Sequence, residues 1–398
     1  MSSAVPASVV VKKPGRHAVS TGHPWLRSDS VTANEALADG EVVEILDQEG
    51  NWLARGIYNS QSHLKVRVYS RRRDQPLDQA FWTGRIREAV ELRKRLGMLA
   101  PERACRLIFS ESDRLSGLIV DQYADSLVVS LTAKATADRI EPIVAGLKEA
   151  LADFPLQRII VRTDSNMVRS EGMEPVDLVA LGELPDQPVV IHENSLQYQV
   201  DLRDGQKTGF YLDQQWNRQL FSHLVSGRVL DVCCYTGGFA MAAAKAGCSQ
   251  VTAVDTSLPV LEMAEANSQL NQLKIDFVKA DCFDYLVHLK EQKATFDSIV
   301  LDPPKFAGRK NDVPSALRAY HRLNRDALDL LAPGGLLVTC SCSGRVTPEE
   351  FRHAVLGASR RAGRDVQILY FNGPSPDHPV LMACPETQYL KCLIARVY

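Results

Sequence analysis

From about residue 189 onward the chain alternates short apolar runs with helix-forming segments. "RVLDV" is followed by "FAMAAAKAG", "QVTAVD" by "PVLEMAEANSQLN", and "IDFVKAD" by a further helix. "FDSIVLD", another helix and "GGLLVTCS" close the series. Such alternation predicts a parallel sheet with helices on both faces. In that architecture ligands bind outside the carboxyl ends of the strands. A hairpin, "VVIHENSLQYQVDLRDGQKTGFYL", is expected to lead into it.

The preceding residues have a different texture. Residues 1–75 carry β-type runs between turn residues ("ASVVVKK", "GEVVEILDQ", "WLARGIYN", "HLKVRVYS"), which predicts a small β-rich domain. "SRRRDQPLD" reads as its exit linker, and "QAFWTGRIREAVELRKRLGM" as a helix. Between about 100 and 185 the order is strand, strand, helix, strand. The two strands flank a Tyr123-Ala124-Asp125 turn, the helix carries Ile140, Ile143, Val144, Leu147 and Leu151 on one face, and "QRIIVRTD" is the last strand. The expected domains are therefore 1–75, 76–187 and 188–398, a division that suits a chain of 398 residues.

Charge and cysteine usage narrow the function classes. Residues 1–110 hold 17 Lys and Arg against 12 Asp and Glu, and the remainder 29 against 36. The basic bias, with Arg71-Arg72-Arg73 and Arg93-Lys94-Arg95, suits a nucleic-acid partner, although a solvated surface gives the same composition. No apolar stretch approaches the roughly 20 residues of a membrane span, and the first residues lack a signal-peptide layout, so a cytoplasmic, globular protein is expected. Nine cysteines without any Cys-x-x-Cys pair predict neither a disulfide framework nor a metal.

The ligand class follows from glycine spacing. "VLDVCCYTGGFA" is a strand, a Gly237-Gly238 turn and a helix start, and Asp255 ends the next strand, where it suits the hydroxyls of a ribose. No two glycines are separated by a single residue and no Gly-Lys occurs, so neither the dinucleotide fingerprint nor a P-loop is present. A ligand with a ribose and no phosphate remains: S-adenosylmethionine, with Asp281 placed either to meet its adenine or to cap a helix. The fourth strand ends in Asp302-Pro303-Pro304-Lys305-Phe306, a stiff loop suited to hold a planar base.

Cys340 and Cys342 end the fifth strand, one residue apart. Packing is expected for Cys340, which lies deeper; Cys342, followed by Ser343-Gly344, is placed to reach a substrate. Methylating an exocyclic nitrogen needs no protein nucleophile, whereas methylating C5 of a pyrimidine does. A thiolate adding to C6 makes C5 nucleophilic enough to take a methyl group. An amino-group methyltransferase acting on RNA or protein through the Asp-Pro-Pro loop is the competing enzyme. A non-catalytic RNA-binding factor is the competing non-enzyme.

Together "SESDRLSGLIVDQY", "DGQKTGFYLDQQ", "CCYTGGF", "VDTS", "LDPPKF" and "CSCSG", in this order, resemble the RlmI family of S-adenosylmethionine-dependent 23S rRNA cytosine-5 methyltransferases over nearly the whole chain. The resemblance implies an N-terminal PUA domain for RNA, a central α+β domain and a C-terminal class I, Rossmann-like methyltransferase domain. It implies large-subunit rRNA as partner, deproteinised or early in assembly, and leaves a homodimer open. Cys342 becomes the expected nucleophile, with Asp302 and Lys305 beside it. Cofactor contacts are expected from Lys207, Thr208, Phe210, Asp213 and Gln214, and from Asp231, Cys233, Tyr235, Thr236, Gly237 and Gly238. Asp255, Thr256, Ser257, Asp281, Cys282 and Asp302 complete that set. Three positions depart from the family pattern. Gln215 stands where arginine is frequent, so that an arginine contact is either lost or supplied by Arg218. Cys233-Cys234 replace aromatic or small residues. Pro304 stands where other RNA cytosine-5 methyltransferases carry a second cysteine, so the base that removes the C5 proton is unassigned.

Overall fold

Val9, Val11, Val43, Ile45, Val66 and Val68 recur at every second position of their strands, as a half-buried strand requires, and meet in one core. In the computed structural model, which describes residues 7–33, 37–203 and 209–398, they belong to a six-stranded sheet. Its order is Trp25–Arg27, Leu64–Ser70, Trp52–Tyr58, Val42–Leu46, Ser8–Val11 and Val31–Ala33. The helix Lys13–Ser20 inside this region is not apparent in the sequence, because Pro14-Gly15 reads as a turn. Proline is tolerated in a first helical turn, where its missing N–H has no partner to lose. Gly15 is required there, since a Cβ would sit 2.6 Å from the Ser30 carbonyl oxygen.

The chain divides into two units, and this sheet lies in the first, built from Met1–Ile191, Val200–Gly209 and Asp377–Thr387. The same unit holds a five-stranded sheet in the order Asp177–Leu181, Arg158–Thr163, Ser126–Leu131, Leu118–Tyr123, Ala104–Phe109. The three strands and the helix read from sequence are present; the two edge strands are additional. Helices Gln79–Arg95 and Ile140–Ala150 share a core with this sheet through Trp82, Ile86, Val90, Ile143 and Leu147. They approach closely at Gly146, where a Cβ would come 2.8 Å from Ile86 Cδ1.

Buried ion pairs run through this unit. Arg67, on Leu64–Ser70, donates to Glu111 at 3.3 Å and Glu171 at 3.0 Å, and the Tyr69 hydroxyl donates to the Ser116 carbonyl at 2.5 Å. Arg93 is fully buried and donates to both carboxylate oxygens of Asp113, at 2.6 and 2.8 Å. It is therefore a structural residue, and of the expected basic cluster Arg93-Lys94-Arg95 only Lys94 and Arg95 face solvent.

The second unit, His192–Gln199, Phe210–Pro376 and Gln388–Tyr398, contains the alternating region. Its elements are β1 (Arg228–Val232), α1 (Gly238–Lys245), β2 (Gln250–Asp255), α2 (Leu258–Leu270), β3 (Asp276–Lys279) and α3 (Cys282–Glu291). They continue with β4 (Phe296–Leu301), α4 (Val313–Leu330), β5 (Leu331–Ser341), α5 (Pro348–Ala362), β6 (Val366–Asn372) and β7 (Lys391–Val397). The sheet order is β3-β2-β1-β4-β5-β7-β6. β1 to β5 are parallel, as the alternation predicts. β7 inserts antiparallel between β5 and β6, with Cys340 opposite Cys392 and Ser341 opposite Lys391. Strand order reverses between β1 and β4, so the crevice at their carboxyl ends is the topological switch point where such sheets bind ligands. The predicted hairpin forms from Val189–Glu193 and Leu196–Val200. No described helix is long and apolar enough to cross a membrane.

Candidate active site

The turn after β1 is held in an unusual backbone conformation. Cys233, Tyr235 and Gly237 all have positive φ, at 62°, 51° and 84°. Left-handed backbone costs a non-glycine residue about 1–2 kcal/mol, so two such residues in one turn must be held by their neighbours. The holding contacts are visible. Cys234 N–H donates to Val254 O at 2.9 Å, Tyr235 N–H to Asp255 Oδ2 at 3.1 Å, and Gly237 N–H to Cys234 O at 2.9 Å. Gly238 has no room for a side chain, as a Cβ would lie 2.9 Å from Arg218 Cδ. Asp231, buried within β1, accepts from Ala240 N–H at 2.9 Å and pins the start of α1. Burial pushes its carboxyl up to about 8, with Asp302 and Asp255 adding to the effect.

The residues expected around a cofactor fall into three groups. Asp255 is half-buried at the end of β2; Tyr235 N–H bonds one of its oxygens and Ser257 N–H the other, at 3.0 Å, which fixes the carboxylate and leaves lone pairs over. Thr236 Oγ1 and Asp213 Oδ1 are buried and have no hydrogen-bond partner among the described residues. A ligand carrying hydroxyls and an ammonium group, as S-adenosylmethionine does, fits those needs. Cys233 and Cys282 share a thiol hydrogen bond across the turn.

The second group faces solvent or makes contacts within the protein. Asp281 is exposed and caps α3, accepting from Phe283 N–H at 2.8 Å and Asp284 N–H at 3.3 Å. Thr256 is exposed, and Phe210 is buried against Tyr198, with its ring under the Arg218 guanidinium at 4.6 Å. Arg218 itself is committed to Glu193 through two 2.6 Å bonds and to Tyr211 O at 2.9 Å. Its guanidinium is thus engaged within the protein. Lys207 and Thr208 lie outside the described residues.

The third group surrounds Asp302. Asn217 donates to Gln214 Oε1 at 2.7 Å, which orients the amide so that Gln214 Nε2 donates to Asp302 Oδ2 at 3.0 Å. Burial, followed by the charge of Asp213, pushes Asp302 up to about 7. Asp213 accepts from the Tyr389 hydroxyl at 2.6 Å. Cys342 follows the last residue of β5 and is half-buried, with Sγ 3.8 Å from Pro303 O. Its thiol is pushed up to about 12, first by burial and then by the charges of Asp302 and Asp213. Cys340 is fully buried in the sheet core beside Cys392. Lys305 is exposed on the loop.

Ser343 is the residue whose importance the sequence does not disclose. Its Oγ accepts from Phe306 N–H and Ala307 N–H, both at 3.1 Å, and lies 3.0 Å from the Tyr320 hydroxyl. It therefore stitches the Asp302–Phe306 loop to the Cys342 loop. Tyr211, half exposed and stacked edge-on to Tyr235 at 4.8 Å, is a second addition.

Two features elsewhere in the first unit carry no site. His23, Cys384 and Glu386 bring three ligand atoms within 4.8 Å of one another. Glu386, however, already pairs with His23 at 3.2 Å and Arg27 at 3.5 Å, and burial holds the Cys384 thiol protonated. A cleft of about 500 Å³ lined by Ala124, Asp125, Arg158 and Pro185 contains none of the expected site residues.

Asp255→Ala is expected to weaken S-adenosylmethionine binding roughly tenfold to a hundredfold, since charge-assisted hydrogen bonds contribute on the order of 1.5–3 kcal/mol. Unchanged affinity by calorimetry removes Asp255 from the cofactor site.

Comparison with known proteins fits this geometry. A family model described as S-adenosylmethionine-dependent methyltransferase matches residues 178–371, and a PUA-like domain model matches residues 9–71. The chain is 39% identical over 380 residues to the Ribosomal RNA large subunit methyltransferase I of Enterobacter sp. (strain 638), covering 94% of this chain and 95% of that protein. It is 41% identical over 379 residues to the protein of the same name from Aeromonas salmonicida (strain A449), with the same coverage. Among solved structures, SMU.776, a putative methyltransferase complexed with SAH, superposes with a TM-score of 0.84 at 23% identity, over 98% of this chain and 100% of that one. That likeness speaks for the fold. Identity near 40% along almost the whole of both chains speaks for more: the chain is S-adenosylmethionine-dependent and belongs to the ribosomal RNA large subunit methyltransferase I family.

Proposed function

We propose that the protein methylates C5 of a cytosine in large-subunit rRNA, with Cys342 as a transient nucleophile. The observation that carries this reading is the placement of the Cys342 thiol against the Asp302-Pro303-Pro304 loop, 3.8 Å from Pro303 O. Relatives named for large-subunit rRNA methylation and the PUA-like match support an RNA substrate. We take that RNA to be deproteinised or early in assembly, bound through residues 1–75, with 76–187 as a connecting domain and 188–398 as the catalytic one.

S-adenosylmethionine, when bound, supplies an electrophilic methyl group on a sulfonium. Cys342 gives its proton to solvent and adds to C6, forming the S–C6 bond as the C5–C6 π electrons shift into the ring. Asp302, whose carboxyl burial pushes up to about 7, donates from its protonated form to the ring nitrogen on which that charge develops. C5 takes the methyl group, its proton passes to a base, and the thiolate leaves as the C5–C6 double bond re-forms. Gln214 orients Asp302, and Lys305 offers a cation to the RNA backbone.

The competing amino-group reading needs a free aromatic beside the prolines to stack on the base. Phe306 is instead packed against Tyr320 at 4.9 Å, with its N–H bonded to Ser343. The decisive experiment incubates full-length protein and S-adenosylmethionine with rRNA containing 5-fluorocytosine. A denaturation-resistant protein–RNA adduct is expected, because fluorine cannot leave C5 as a proton does. Methyl transfer to that RNA without an adduct would establish the amino-group route.

A further inference from the structure

Lys391 is the first residue of β7, faces Ser341 across the ladder, and is 2% exposed. Its Nζ donates to Ser343 O at 2.7 Å and to Tyr389 O at 2.9 Å. Both acceptors are neutral carbonyls, and no carboxylate pairs with this ammonium among the described residues. A buried charge without a counter-ion is costly, so lysine at such a position calls for an explanation. Burial pushes Lys391 down to about 8, while the neighbouring Cys342 and Glu350 pull it back up. Ser343, whose carbonyl it holds, is the next residue after Cys342.

We propose that Lys391 is a positioning residue that fixes the Cys342 loop through the Ser343 carbonyl and supplies the positive charge against which the Cys342 thiolate forms. The inference rests on the reading of Cys342 as nucleophile. The charge balance around the thiol favours it. Asp302, Asp213, Tyr211 and Tyr320 all face Cys342 electrostatically, and the two carboxylates oppose its ionisation. Lys391 is the cation that opposes them. When Cys342 gives up its proton, the ammonium gains the counter-charge it otherwise lacks, and the pair becomes neutral overall. Lys391 thereby offsets part of the rise that burial and the two carboxylates impose on the Cys342 thiol.

The test follows the pH profile of Cys342. In full-length protein, alkylation of Cys342 by iodoacetamide is followed by peptide mass spectrometry from pH 6 to 10, beside adduct formation with 5-fluorocytosine RNA. Lys391→Gln is expected to slow both reactions roughly tenfold near pH 7, where the ammonium is present, and to make less difference toward pH 10, where Lys391 itself has lost its proton. Lys391→Arg, which keeps the charge, is expected to stay near the parent profile. Lys391→Met, whose unbranched stem preserves packing, stands in if Lys391→Gln does not fold, and thermal melts report on that. A loss of melting temperature with unchanged rates near pH 7 would overturn the proposal and leave Lys391 as a packing residue. Absence of an adduct with the parent protein would instead remove the nucleophile reading itself.

Discussion

Cys342→Ala is expected to abolish both methyl transfer and the 5-fluorocytosine adduct while leaving S-adenosylmethionine affinity within about twofold, or ~0.4 kcal/mol. The thiol is the only group in the proposed sequence of steps that bonds to the base. Asp255, Thr236 and Asp213, which are expected to meet the cofactor, belong to other segments of the chain. Cys340→Ala makes the sharp contrast. Cys340 is fully buried next to Cys392, so its loss opens a small cavity costing about 1 kcal/mol, with turnover largely kept. Adduct formation that survives Cys342→Ala and disappears with Cys340→Ala would exchange the two roles. Survival in both would end the covalent account.

Arg93→Met is the second large effect, and it acts on stability. The buried guanidinium also donates to Arg106 O at 2.8 Å and Asp377 O at 2.7 Å, in addition to its fork on Asp113. Removing it leaves the Asp113 carboxylate buried without its cation, a change that costs about 3–5 kcal/mol. The denaturant midpoint should fall accordingly, with an unchanged slope. Lys94→Glu and Arg95→Glu, one and two residues further on but exposed, should cost less than ~0.5 kcal/mol. They should instead weaken RNA binding and flatten its salt dependence. Equal stability losses at all three positions would contradict the assignment of Arg93. Charge reversal is a cleaner probe of RNA binding than truncation near residue 76. Such a cut would strip Arg67 from Glu111 and Glu171 and expose Phe81 and Trp82, which pack on Tyr69.

The catalytic sheet was legible because its order is written in local pattern: buried strands and helices alternate, and β1 to β5 appear where periodicity places them. β6 and β7 were not, because pairing across the chain leaves no local mark on either strand. Yet "YLKCLIA" does contain a signal, a lysine inside an otherwise apolar run, and that lysine is the buried Lys391. Asp255 and Asp302 could be placed from strand ends alone. Asp281 could not be resolved, since an aspartate opening a helix reads equally as cap and as ligand; the structure shows it capping α3. Arg93 misled for a related reason. Charge is visible in sequence, whereas burial beside Asp113 depends on a fold that brings residues 93, 113 and 377 together.

The antiparallel insertion of β7 also has a consequence for biosynthesis. β5 finds one neighbour, β4, among residues already made, but its other neighbour is about fifty residues away, at Lys391–Val397. Until the ribosome has passed that segment, one side of β5 is an open edge and the Ser343 carbonyl lacks its ammonium. Emerging chains thus expose a strand edge beside Cys340, a period in which chaperone cover matters. On the proposed mechanism, the Cys342 loop gains its Lys391 support only in a polypeptide whose translation has run beyond β7.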